Sequence, residues 1–286
     1  MKLHYTDTGN GDTMIFIHGG FVNSAIWQPQ VEFFSQRFRT IILDLRGHGN
    51  SGHGNEQEYT VSMLGQDVFE LMDELNIDSA IICGMSLGGM IAQWMAATQP
   101  KRITGLCLIG TAASLKLTLI EKTVTTILFP KWMAMFLFSK LSTKQFLKLS
   151  FMLTWFMRGN KWLGNKDTRA QIRTCIGSMK REEIKKVYAA FHMFRKQNIV
   201  QGTYPVLLIN GSFDSPVIHH HARYLKKKWG VRAQFIKLNN CGHACNFDDA
   251  PKFNGLLYRW AQKAANTANI QNQGLNFEPK KIAANI

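Results

Sequence analysis

One stretch restricts the fold of this chain more than any other. An unbroken apolar run, Ala80–Cys83, breaks into Gly84-Met85-Ser86-Leu87-Gly88-Gly89 and at once into LGGMIAQWMAA at 87–97, apolar on every side. Apolarity without alternation suits a strand buried on both faces, as in a parallel sheet covered by helices. A helix with no polar stripe must be buried as well. The turn between them matches G-x-S-x-G in the strand–turn–helix context that gives the pattern its meaning. Glycines two residues either side of Ser86 let neighbouring backbone approach closely. The serine itself opens a helix whose amides and dipole favour an oxyanion. Ser86 is the candidate nucleophile; a Ser-Gly helix entry without chemistry is the plainer alternative.

Similar runs recur at Met14–His18, Thr40–Leu45, Ile103–Ile109, Val206–Asn210 and Ala233–Leu238. Val61, Leu64, Val68, Leu71, Met72 and Leu75 repeat at helical spacing with acids on the other face. The order is βαβα, interrupted after Ile109 and resumed at Pro205. The expected fold is therefore α/β, a mostly parallel doubly wound sheet. Residues 1–112 and 203–264 form the sheet unit, several helices are inserted at 113–202, and 265–286 is a polar, Asn-rich, loosely held extension. A chain of 286 residues has room for one such domain.

A serine hydroxyl needs a base, and the base needs an orienting acid. The run Val206–Asn210 ends in Gly211-Ser212-Phe213-Asp214, and Ala233–Leu238 leads into Asn239-Asn240-Cys241-Gly242-His243. Ser86, Asp214 and His243 thus stand in the chain order this topology requires, each just beyond the carboxyl end of a strand. Asp214 as a mere cap of a helix starting near Val217, and His243 as an ordinary loop residue, are the plainer alternatives. Leu87 N–H is one candidate oxyanion donor. The second comes from Gly19-Gly20-Phe21 after Met14–His18, with Gly20 favoured over Phe21 and His18 positioning the loop. Cys241-Gly-His-Ala-Cys245 lacks the second ligand pair of a closed zinc site, and His219, His220 and His221 read as a solvated loop or helix start. No metal and no cofactor are expected.

These pieces resemble the α/β-hydrolase fold superfamily, of the serine esterase/lipase, lactonase and cofactor-free haloperoxidase type. The resemblance rests on His18-Gly19-Gly20, Asp44-Leu45-Arg46-Gly47-His48-Gly49-Asn50-Ser51, Gly84-Met85-Ser86-Leu87-Gly88-Gly89, Gly211-Ser212-Phe213-Asp214, Gly242-His243 and Pro251. It implies that 113–202 is a helical cap over the site and that Asp44 forms a structural turn. A serine at the elbow is unlike epoxide hydrolases and haloalkane dehalogenases, which carry aspartate there. The function expected is cleavage of a carboxylic ester, with an apolar acyl group, through an acyl-enzyme on Ser86. A lactone or C–C bond hydrolase or a perhydrolase would use the same machinery, and a ligand-binding or signalling module would keep the fold and the triad with little turnover.

The net charge of +15 is unevenly spread: −5 over 1–114, +13 over 115–200 and +7 over 201–286. The cap segment also holds 12 of the 32 aromatic residues and 6 of the 13 methionines, among them Trp132, Met133, Met135, Phe136, Phe138, Phe151, Met152, Trp155, Phe156 and Met157. These either line a pocket for an apolar group or form the cap's own core. Lysines and Glu121 interrupt 117–157, so no run reaches the ~18–20 residues that span a bilayer, although an interfacial helix is open. The basic residues either contact anionic lipid headgroups or form a solvated helix face. No recognisable module points to nucleic acid. Without an apolar leader at the N-terminus, and with five cysteines, an odd count, the expected setting is cytoplasmic with reduced thiols, or peripheral at a membrane.

Overall fold

The computed structural model describes residues 1–128, 130–141, 145, 148–149, 152, 159, 161–198 and 202–272. Phe151, Trp155, Phe156, Met157, the side chain of Phe138, and 273–286 of the expected extension lie outside the described residues. Seven strands, β1 (Tyr5–Thr8), β2 (Thr13–Ile17), β3 (Arg39–Leu43), β4 (Ala80–Met85), β5 (Ile103–Ile109), β6 (Val206–Gly211) and β7 (Ala233–Leu238), form one sheet in the order β1-β3-β2-β4-β5-β6-β7. Every neighbouring pair is parallel except β1–β3. The helices are α1 (Gln28–Phe34), α2 (Val61–Glu74), α3 (Leu87–Thr98), α4 (Leu119–Thr123), α5 (Lys131–Lys140), α6 (Lys166–Ser178), α7 (Arg181–Met193), α8 (Pro216–Trp229), α9 (Cys245–Asp248) and α10 (Ala250–Asn272).

Alternate side chains of each central strand enter opposite cores. Ile15 and Ile17 pack with Leu64 and Val68 of α2 and Leu87, Ile91 and Met95 of α3. Met14 and Phe16 pack on the other side with Phe34 of α1 and Phe253 and Leu257 of α10. Both faces are covered, which is why these strands read as continuous apolar runs. β1, by contrast, carries Tyr-Thr-Asp-Thr with largely exposed side chains and joins through backbone pairing, Tyr5 opposite Leu43, and an Asp7–Arg39 ion pair to β3. An edge strand of this kind has no apolar signature to find.

Between β5 and β6 the described residues hold helices α4 to α7, a π turn at Val124–Leu128 and no strand. α7 packs into the sheet core through Ile184, Val187 and Ala190. Its buried Glu183 accepts from the Tyr59 hydroxyl and pairs with Lys186, whose carbonyl accepts from Tyr59 N–H. Two expectations change here. The extension expected from 265 begins inside α10, whose helical backbone continues to Asn272. His219 and His221, expected in a solvated loop or helix start, do lie at the start of α8 but are buried on its inner side. His221 Nε2 meets Glu121 Oε1 at 2.9 Å, so a polar pair, invisible in local sequence, repays its burial. Among the described residues no helix is long and apolar enough to cross a membrane.

Candidate active site

The site gathers at the carboxyl edge of the parallel strands, where open α/β sheets place their ligands. Ser86 joins β4 to α3 with φ +51° and ψ −110°, a conformation that costs a non-glycine residue about 1–3 kcal/mol. The surroundings hold it there. Ser86 N–H donates to Ile109 O at 2.8 Å, while Ser86 O accepts from Met90 N–H and from Thr111 Oγ1 at 2.7 Å. The flanking glycines are steric necessities: a Cβ at Gly84 would stand 2.3 Å from Gly88 O, and one at Gly88 2.2 Å from Ile17 O.

The loops after β6 and β7 are zipped together by Ser212 N–H to Leu238 O (2.8 Å), Phe213 N–H to Cys241 O (2.9 Å) and Asn240 N–H to Ser212 Oγ (2.9 Å). This brings Asp214 Oδ2 to 2.9 Å from His243 Nδ1. Asp214 Oδ1 accepts from Ser215 N–H (2.8 Å) and Trp162 Nε1 (3.1 Å). Burial pushes the Asp214 carboxyl pKa up, but His243 and the three hydrogen bonds outweigh it and hold it below the ordinary value. A carboxylate so held fixes the proton of His243 on Nδ1 and leaves Nε2 as the basic nitrogen. Ser215, not Asp214, caps α8, accepting from Ile218 N–H. His243 lies against Gly110, where a Cβ would stand 3.1 Å from the imidazole, and the preceding residue, Ile109, accepts from Ser86 N–H. Among the described residues no hydrogen bond joins Ser86 Oγ to His243.

The loop after β2 lies on the other side of Ser86; a Cβ at Gly19 would meet Ser86 Cβ at 3.3 Å. Two buried histidines shape it. His18 Nε2 accepts from Leu45 N–H (3.0 Å) and Nδ1 donates to Gly19 O (2.7 Å). His48 Nε2 accepts from Phe21 N–H (3.2 Å) and Nδ1 donates to Arg46 O (3.0 Å). Burial pushes the pKa of both rings down, that of His48 to about 3. The Phe21 amide, one of the expected oxyanion donors, is therefore engaged elsewhere. Among the described residues the Gly20 and Leu87 amides have no acceptor in the chain. Asp44 accepts from Ser24 N–H and Asn50 N–H, both at 2.8 Å, and so closes a structural turn.

Trp162 went unrecognised in the sequence. Its indole stacks on His243 with ring centroids 5.2 Å apart, its Nε1 reaches Asp214, and its carbonyl accepts from His243 N–H at 2.6 Å. Asp248 holds the two segments together: Oδ2 accepts from Gly242 N–H (2.7 Å), and Oδ1 accepts from Asn165 N–H (2.5 Å) and Thr168 Oγ1 (2.8 Å). Neither residue lies in a motif, and Trp162 was one aromatic among twelve. Of the aromatics expected in a pocket or core, Trp132 and Phe136 instead face solvent. Above Gly20 stand Phe191 and Val187 of α7, and the Phe21 and Phe191 rings lie 5.7 Å apart.

Comparison with known proteins agrees with this architecture. Over 117 residues the chain is 36% identical to 3-oxoadipate enol-lactonase 2 of Acinetobacter baylyi, covering 40% of the chain and 43% of the relative. It is 35% identical over 109 residues to the pimeloyl-[acyl-carrier protein] methyl ester esterase of Nitrosomonas europaea, covering 38% and 41%. These matches span less than half the length of either relative. The solved structure of a hydrolase from Pseudomonas aeruginosa PA01 superposes with a TM-score of 0.76 at 22% identity, over 91% of this chain and 94% of that one, a likeness of fold. Residues 12–250 match the α/β hydrolase fold family as a whole. The chain belongs to the α/β hydrolase fold family.

Proposed function

We propose that the protein is a serine hydrolase that cleaves a carboxylic ester with an apolar acyl group. Ser86 Oγ attacks the carbonyl carbon and passes its proton to His243 Nε2, while Asp214 Oδ2 holds Nδ1–H and steadies the imidazolium. The Gly20 and Leu87 amides receive the developing oxyanion. Collapse of the tetrahedral intermediate breaks the ester C–O bond, and the leaving alcohol takes the proton from Nε2. Water, deprotonated by the same nitrogen, then releases the acid from Ser86. Trp162 acts as a positioning residue for the acid and the base.

The observation that carries this reading is the Asp214–His243 pair, 2.9 Å apart at the same sheet edge as the strained Ser86. Phe191, Val187 and Phe21 beside Gly20 support an apolar acyl group. The segment 113–202 then serves as a cap, with α7 as its fixed wall. Similarity to a protein named as an enol-lactonase favours a second reading, lactone hydrolysis, in which the leaving alcohol stays tethered to the acyl group.

The test is labelling with a fluorophosphonate, followed by turnover of a chain-length series of p-nitrophenyl esters and matched lactones. Absence of label on Ser86 would sink the hydrolase reading. Labelling with turnover that climbs with acyl length supports it, and a preference for lactones selects the second reading.

A further inference from the structure

We propose that the exposed side chains of the described residues within 119–152, chiefly those of Leu119 to Lys140, dock on the headgroup region of an anionic lipid bilayer. Seven of the ten large hydrophobic side chains exposed among the described residues lie in this segment. The most exposed of the seven are Leu119 (79%), Ile120 (77%), Ile127 (71%) and Trp132 (71%). Isolated exposed hydrophobics are ordinary on a soluble protein, but such a concentration marks an interaction surface.

α5 makes the point most clearly. Its sequence, Lys-Trp-Met-Ala-Met-Phe-Leu-Phe-Ser-Lys, is apolar all round between two terminal lysines. A helix of this type is stable when its whole circumference is covered. Met135 packs against the sheet core, whereas Trp132 and Phe136 are more than half exposed. Trp132, Phe136 and Lys140 follow at four-residue spacing on the exposed side, and Lys140 Nζ lies 5.8 Å from the Phe136 ring centroid. An aromatic–aromatic–lysine stripe is the pattern of a helix lying in a membrane interface, with rings at the headgroup level and ammonium groups reaching outward.

Charge selects the kind of surface. Residues 115–152 contain six lysines and a single carboxylate, Glu121. That carboxylate faces inward, bound to His221 Nε2 and to Thr118 N–H. Lys122, Lys140 and Lys148 are exposed. The described residues of the segment therefore present cations and apolar side chains to solvent, and the exposed acid that meets them, Glu58, is already paired with Lys131 Nζ. Exposed aliphatic side chains such as Leu119, Ile120 and Ile127 find an apolar medium in a bilayer, whereas nucleic acid would call for stacking aromatics along a groove. This inference stands apart from the hydrolase reading and needs no turnover to be tested.

The experiment is flotation of the full chain with phosphatidylcholine vesicles and with vesicles of equal parts phosphatidylcholine and phosphatidylglycerol. Partition into the anionic vesicles should be at least about tenfold higher and should fall as salt is raised. Trp132→Ser with Phe136→Ser should release the protein from anionic vesicles, and Lys122→Glu with Lys140→Glu should abolish the preference between the two lipids. Unchanged thermal melts check that each pair still folds, and the lysine pair alone decides the matter if the aromatic pair does not. Equal recovery with both vesicle types, or none with either, overturns the proposal. So does a lipid-free dimer that the aromatic pair disperses, since a second copy of the chain would then cover the face.

Discussion

Trp162 Nε1 donates to Asp214 Oδ1 at 3.1 Å while the same indole lies stacked on His243. One side chain from the segment between β5 and β6 thus touches both the acid and the base of the candidate site. Trp162→Phe keeps a ring over the imidazole and removes the hydrogen bond. A hydrogen bond to a charged group contributes about 1.5–3 kcal/mol, so kcat should drop by about tenfold or more with KM little changed. The Asp214 carboxylate, losing one donor, is held less far below its ordinary pKa. An unchanged kcat would mean that Trp162 only packs.

At Ser86 strain and chemistry separate by substitution. Ser86→Ala should lower turnover by at least about 10⁴-fold while keeping the φ of +51° and its cost. Ser86→Gly should be equally inactive but more stable than Ser86→Ala, by about 1 kcal/mol, because glycine adopts positive φ freely. Urea unfolding of the two variants measures the difference. Equal stability would show that the elbow stores no strain.

Gly20 has no room for a side chain under Phe191, whose Cζ would lie 2.5 Å from a Cβ there. Gly20→Ala should displace the loop and cut kcat by about 10²-fold, the usual effect of losing one oxyanion donor. Adding Phe191→Ala clears the space and should restore part of that loss. A double-mutant cycle with no coupling between the two sites would contradict the account.

His48 gives the fold an acid limit. Burial holds its pKa down at about 3 in the folded protein, against about 6.5 for an unperturbed histidine. Between these values the unfolded chain binds a proton that the folded chain does not. Stability therefore falls as pH drops through this window, by up to about 1.4 kcal/mol per unit. His48→Gln keeps an acceptor for the Phe21 amide and should flatten the dependence. Urea midpoints at about pH 7 and about pH 4.5 check this, and parallel slopes in both proteins would refute it.

Much of the fold was legible because burial on both faces of the sheet leaves uninterrupted apolar runs in the chain. The six parallel strands and the helix behind Ser86 announce themselves in this way. β1 does not, since Tyr-Thr-Asp-Thr joins the sheet by backbone pairing and an Asp7–Arg39 ion pair rather than by an apolar run. The polar extension read from composition starts inside α10, because Asn and Gln weaken a helix without ending it when neither Gly nor Pro intervenes before Asn272.

The sequence by itself determined the strand–turn–helix around Ser86 and the chain order that sets Asp214 and His243 on loops beyond strand ends, since local sterics and periodicity are short-range properties. Only the tertiary structure decided which amides around Gly20 are free, since that depends on His48 reaching Phe21 from a loop 27 residues away. The same holds for Trp162, whose partners lie 52 and 81 residues along the chain. It holds also for the segment around α5, where the chain alone could not say which apolar side chains pack inward and which remain uncovered. Contacts of that range are fixed by how the segments pack, and no local pattern records them.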